Sequence, residues 1–246
     1  MKRRMQSELA SALAVGLVVA ASALPATSAS GTLRPKVVEL YTSEGCSSCP
    51  PAEALLGELA TRSDVVPLAF HVDYWDELGW RDRFSSPAAT QRQQWWGGVL
   101  GLGSIYTPQM IIEGRRSVLG SDRAAVDAAL AEPAVSIPVE AQLAAGQVTV
   151  KVGAFSGPLQ YDVYAIAYLQ RAITAIGRGE NAGRTLTEWN IVRSWRKLGT
   201  ADGRALHFSI AANAFPADAQ RLLIVLQQVA QGTVAGAAVL ELHRPT

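Results

Sequence analysis

The chain has 246 residues, a net charge of +1 and 49% hydrophobic residues. No block of like charge occurs, which argues against a nucleic acid or an anionic surface as the main partner. The two cysteines, Cys46 and Cys49, fall in a single C-x-x-C. A pair so close in sequence is a poor place for a structural staple.

The N-terminus reads as an export signal spanning 1–29. Lys2, Arg3 and Arg4 precede an apolar stretch from Leu9 to Ala23, and Leu24 to Ala29 supplies small residues for cleavage after Ala29. The alternative is a retained membrane anchor, but the apolar run is short for a spanning helix. Export implies a periplasmic or secreted protein that meets the membrane only through this segment. Disulfides persist in such compartments. About 217 residues would remain, room for two small domains.

From 34 to 131 strand and helix signals alternate. Val37–Tyr41 is a short apolar strand, and Ser47–Arg62 a helix whose first turn accommodates Pro50 and Pro51. Val65–Val72 is a second buried strand. Ser86-Pro87 caps and opens a helix over Ala88–Trp96. Residues 108–113 and 116–119 flank a Gly114-Arg115 turn as a hairpin. Ser121 caps a last amphipathic helix, Asp122–Ala131.

The character changes near Glu132-Pro133. From 134 to 246 about seven strands follow, without convincing helices: 137–143, 148–152, 161–169, 191–198, 206–210, 221–228 and 235–242. This pattern suggests an antiparallel β-sandwich domain. The polar, glycine-containing loop 177–185 is the main break. It is expected to pack near Trp75–Trp80, with Arg178 or Arg184 reaching Asp73 or Asp76; the alternative is a mobile solvated connection.

The chemistry centres on Cys46-Ser47-Ser48-Cys49. A strand that turns into a helix through C-x-x-C is the local context of a redox site. A small structural disulfide and half of a zinc site are the alternatives, but zinc usually needs four ligands and no further cysteine exists.

The order strand, C-x-x-C, helix, strand, insertion, Thr-Pro, hairpin, helix resembles the thioredoxin fold. Four blocks sharpen the likeness: Glu39 to Pro51, Phe70 to Asp76, Tyr106 to Gln109, and Gly179 to Arg184. Together they resemble the exported bacterial thioredoxin-like proteins of domain-of-unknown-function family 1223. The resemblance implies an α/β thioredoxin-like domain ahead of the β-sandwich. It implies Cys46 as the nucleophile and Cys49 as the resolving thiol. The helix N-terminus would stabilise the Cys46 thiolate, and Cys46 is expected to be the more exposed of the two. Thr107-Pro108 resembles the cis-proline loop that faces the cysteines; the alternative is an ordinary trans proline.

Glu39 precedes Cys46 by seven residues. Thioredoxins carry a buried acid one residue nearer the first cysteine, so the equivalence requires a one-residue bulge. Burial would raise its pKa and let it exchange a proton with Cys49; the alternative is an exposed or salt-bridged glutamate. His71, Asp73 and Trp75, with Asp76 and Trp80, form a polar and aromatic cluster that would line a substrate groove. Gln109 would join it. Arg92 and Trp96 share a helix face and would cap it, unless the tryptophans are simply core.

The favoured function is thiol–disulfide exchange with the thiols or disulfides of other exported proteins, with no metal or other cofactor. The alternatives are a copper-binding carrier using Cys46, Cys49 and His71, and a redox-inert interaction module whose C-x-x-C is a stable disulfide.

Overall fold

The computed structural model describes residues 34–242; the expected export signal lies outside them. In the first half, β1 (Lys36–Thr42), α1 (Pro50–Leu59), β2 (Val65–His71) and α2 (Pro87–Val99) are followed by β3 (Gln109–Ile112), β4 (Arg116–Leu119) and α3 (Arg123–Ala131). In the second, β5 (Val139–Ala144), β6 (Gln147–Val152), β7 (Tyr161–Ala175), β8 (Thr185–Ala201), β9 (Leu206–Ala211), β10 (Arg221–Gln228) and β11 (Val234–Glu241) follow.

The fold is mixed α/β. Eight strands form one sheet in the order β11-β10-β7-β8-β2-β1-β3-β4, and β5, β6 and β9 form a small antiparallel sheet. β1 and β2 run parallel in unbroken register, from Lys36 opposite Val65 to Thr42 opposite His71. β3 is antiparallel to β1, and β4 to β3. The long β7–β8 hairpin enters through a parallel pairing of Ala69 with Ile191. The two expected segments, 34–131 and 134–246, therefore share one sheet and belong to one compact unit.

Strand alternation sorts the apolar residues into separate cores. Val38 and Leu40 of β1 face α1 and α3, packing with Leu55, Leu56, Val126 and Leu130. Val37 and Tyr41 face the other way, toward Trp96 of α2, and share a core with Leu223 and Val225 of β10. The small sheet covers another part of the large one: Val148, Val150 and Val152 pack against Val163, Ala165, Leu222 and Ile224. α1 lies hard against β8, because Gly57 leaves room for the Trp189 indole. A Cβ at Gly57 would stand 2.5 Å from Trp189 Nε1.

Candidate functional site

The chain leaves β1 at Thr42 and reaches α1 through the cysteine loop. Cys49 is the N-cap of α1, and Pro50 and Pro51 occupy its first turn, where a missing N–H costs nothing. Cys46 and Cys49 are joined in a disulfide with their Cα atoms 5.4 Å apart. Thr107 and Pro108 are linked by a cis peptide bond and lie opposite. Thr107 Oγ1 donates to Cys46 Sγ at 3.3 Å, and Trp75 Nε1 donates to Thr107 Oγ1 at 2.8 Å. Ser48 Oγ is also 3.3 Å from Cys46 Sγ. These neighbours close over the disulfide. Cys46 is 0% exposed and Cys49 1%, so the expected difference in exposure is absent in the oxidised state.

The tip of the β7–β8 hairpin docks on the same loop. Asn181 Nδ2 donates to the carbonyls of Glu44 at 2.9 Å and Cys46 at 3.0 Å, and Glu180 Oε2 accepts from the Ser47 N–H at 3.2 Å. Gly179, at φ 78°, lets the tip approach Trp80; a Cβ there would stand 3.0 Å from the Trp80 Cβ. The tip thus meets the 75–80 segment as expected. The contact uses Asn181 and the glycines, while Arg184 bonds Asn181 Oδ1 rather than an aspartate.

Beneath this loop lies a buried polar cluster that sequence reasoning did not assemble. Glu53, four residues after Cys49 on α1, accepts from Thr42 Oγ1 at 2.6 Å through Oε1. Glu188 of β8 accepts from Thr174 Oγ1 at 2.9 Å through Oε2. Glu44 accepts from Trp80 Nε1 at 2.6 Å through Oε2. His71 Nδ1 lies 2.6 Å from Asp82 Oδ2. All five acidic or basic members are buried, and four atoms have no hydrogen-bond partner: Glu44 Oε1, Glu53 Oε2, His71 Nε2 and Glu188 Oε1.

Burial raises the Glu53 carboxyl, against the opposing pull of His71 and Thr42. Burial likewise lifts Glu188 to about 8, helped by the charges of Glu44 and Glu53. For His71, burial favours the neutral ring, but Asp82, Glu53 and Glu188 outweigh it and lift its pKa to about 10. Burial also opposes the Asp82 charge, yet His71 and the N–H groups of Glu44 and Phe84 hold its carboxyl below the usual range. At neutral pH the cluster therefore contains an imidazolium–carboxylate pair and a glutamic acid that retains its proton. The spacing of Cys49 and Glu53, one helical turn apart, was the readable signal. Glu188 lies too far along the chain to be placed from sequence.

Several expected site residues stand elsewhere. Glu39 is buried on the α2 face of the sheet, the opposite face from α1 and Cys49. No bulge interrupts β1, so alternation keeps it there. Arg92 Nε and Nη2 bind its carboxylate at 2.8 and 2.6 Å, and Tyr41 Oη and Trp96 Nε1 donate to it at 2.7 and 3.0 Å. Burial works against the Glu39 charge, but Arg92 prevails and its pKa is lowered, the reverse of what a proton shuttle needs. Arg92 is held in that pair on the face of the sheet opposite Cys49, beside a cavity it lines with Trp95, Tyr164 and Trp195. Gln109 is fully buried, bonded to Gln93 at 2.7 Å and Ser117 at 2.8 Å. Asp73 accepts from Thr90 on α2 at 2.5 Å. Of the expected groove residues, Trp75 reaches the cysteines through Thr107, and Trp80 donates to Glu44 on the same loop. His71 is a buried member of the cluster rather than a rim residue. Among the described residues no three His, Cys, Asp or Glu side chains are gathered so as to hold a metal, and Cys46 and Cys49 are bonded to each other.

The family described as "Protein of unknown function (DUF1223)" matches residues 37–227. A crystal structure of protein AGR_C_4864 from Agrobacterium tumefaciens is similar, with a TM-score of 0.75 and 30% identity over 86% of this chain and 96% of that one. Hypothetical protein PH1083 from Pyrococcus horikoshii OT3 aligns with a TM-score of 0.23 and 10% identity over 46% of this chain and 90% of that one, too distant to bear on the fold. No curated protein matches.

Proposed function

The chain belongs to the DUF1223 family, and we propose that it carries out thiol–disulfide exchange through Cys46 and Cys49 with exported partner proteins. The observation that carries this reading is the juxtaposition of the disulfide at the start of α1 with Thr107-Pro108, whose hydroxyl touches Cys46 Sγ. The strand order β2-β1-β3-β4, with β1 and β2 parallel and β3 and β4 antiparallel, supports a thioredoxin-like first half. The packing of the small sheet on β7 and β10 supports reading the second half as sandwich-like.

In the reducing direction, the Cys46 thiolate attacks a partner disulfide and forms a mixed disulfide, releasing one partner thiolate. Cys49 then loses its proton and attacks the Cys46 sulfur, releasing the second partner thiolate. Two electrons pass to the partner and the Cys46–Cys49 bond re-forms; oxidation of a partner dithiol is the reverse. Thr107, oriented by Trp75, donates to the Cys46 sulfur and stabilises negative charge there. Glu53 takes the role that Glu39 cannot fill. It is buried, shares a helical face with Cys49, has a raised pKa and carries an oxygen with no partner, so it accepts the Cys49 proton in the resolving step. Because both sulfurs are covered, a partner thiol must displace Thr107 or Ser48 to reach Cys46.

The test is trapping. Cys49→Ala should hold a partner as a mixed disulfide at Cys46, released by reductant and identified by mass spectrometry. Recovery of no disulfide-linked partner from the exported fraction, with the variant folded, would count against exchange.

A further inference from the structure

A helix N-terminus ordinarily offers amide N–H groups and a positive dipole end to a thiolate nearby. Here most of those donors are withheld. Pro50 and Pro51 have no N–H. The Cys49 N–H donates to the Cys46 carbonyl at 3.2 Å, and the Ala52 N–H to the Cys49 carbonyl at 2.9 Å. The Ser47 N–H, next to Cys46, is occupied by the exposed carboxylate of Glu180 at 3.2 Å. That carboxylate arrives from a distant hairpin and is held in place, since Asn181 ties the tip to the carbonyls of Glu44 and Cys46 and is itself oriented by Arg184.

We propose that Glu180 is a charge-setting residue for Cys46: by placing a negative charge on the amide beside the nucleophile, it keeps reduced Cys46 protonated to higher pH than the helix end alone would. This rests on the exchange reading for its biological use, but not for its measurement. Hydrogen bonds from Ser47 hold the Glu180 carboxyl below its usual pKa, so it is charged throughout the range in which a thiol titrates. Stabilising a thiolate favours the dithiol form and makes a pair more oxidising. Glu180 acts in the opposite sense, poising the pair as a milder oxidant than a bare helix end would give.

The elements packed around the cysteine loop carry other charged or titratable residues: Glu44 on the loop itself, Glu53 on α1, His71 on β2, Asp73, Asp76, Asp82 and Arg83 on the following segment, Glu188 on β8, and Arg178 and Arg184 on the tip. They are common to all the proteins compared below, so the comparison isolates Glu180.

In a Cys49→Ala background Cys46 is the one thiol, and its titration is followed by thiolate absorbance or by the pH dependence of alkylation. Glu180→Gln keeps an acceptor for Ser47 and removes the charge. The Cys46 midpoint should fall, with about a two- to fivefold rise in thiolate fraction below the midpoint, the range expected for one exposed charge at a helix end. Glu180→Lys should lower it further, and the differences should shrink in high salt. With both cysteines present, Glu180→Gln should make the disulfide easier to reduce. A midpoint unchanged or raised in Glu180→Gln, or a series out of charge order, overturns the proposal. Trapping failure in the Cys49→Ala protein would instead count against exchange and leave this comparison standing.

Discussion

Replacing Glu188 with Gln should change how stability depends on pH. In the unfolded chain Glu188 ionises near 4.5, and in the folded protein not until about 8. Across that interval the folded protein keeps a proton the unfolded chain has lost, so stability falls as pH rises. His71 acts in the same direction: its stabilising contribution is complete below 6.5 and is lost as pH climbs through about 10. For Glu188 the interval between 4.5 and about 8 caps the loss at ~5 kcal/mol, at 1.36 kcal/mol per pH unit. The charge of Glu53 helps raise Glu188, so the two titrate together and we expect about half of that cap to disappear in Glu188→Gln. The amide keeps an acceptor for Thr174 Oγ1 and needs no proton to be neutral. Urea denaturation at pH 5, 7 and 9 checks this. The variant should match the parent at pH 5 and exceed it by ~2–3 kcal/mol at pH 9. Parallel pH profiles for the two proteins, or a variant weaker at pH 9 than the parent, would refute the assignment of a retained proton to Glu188.

Glu53→Gln should leave attack by Cys46 intact and slow resolution by Cys49, so that mixed disulfide accumulates in stopped-flow or quenched exchange; a normal resolution rate would remove Glu53 from the mechanism. Glu39→Gln should leave Arg92 buried without its counter-charge and cost about 3–5 kcal/mol in denaturant unfolding, with no change in the Cys46 titration midpoint; a shifted midpoint in a protein of parental stability would restore Glu39 to the site. Asn181→Ala should cost about 1–3 kcal/mol, because the Glu44 and Cys46 carbonyls lose a buried donor, and should speed alkylation of the reduced pair; a protected pair with unchanged stability would show that the tip does not hold the loop.

The elements were legible because the chain writes them locally. Seven strands after Glu132 and the strand–helix alternation before it follow from periodicity and from proline and glycine positions. The resemblance puts Thr107-Pro108 opposite the cysteines, and Thr107 touches Cys46 Sγ. What failed was parity. Glu39 lies two residues before Tyr41 and one before Leu40, and a single alternation decides which face it serves. A one-residue bulge was required to turn it toward Cys49, and β1 has none. The spacing of Arg92 and Trp96 puts them on one helix face, but that face turns into the core to meet Glu39. The acidic cluster was out of reach for a different reason. Glu188 comes from the β7–β8 hairpin, and local sequence does not say that this hairpin extends the first-half sheet through Ala69 and Ile191.

Equilibration of the protein with glutathione buffers, followed by acid quenching and counting of free thiols by mass, tests the central claim most directly. The account predicts that Cys46 and Cys49 pass reversibly between dithiol and disulfide as one two-electron couple within the range glutathione can poise. A disulfide that stays closed in strongly reducing glutathione, in a protein that remains folded, would contradict it and leave the pair a structural link.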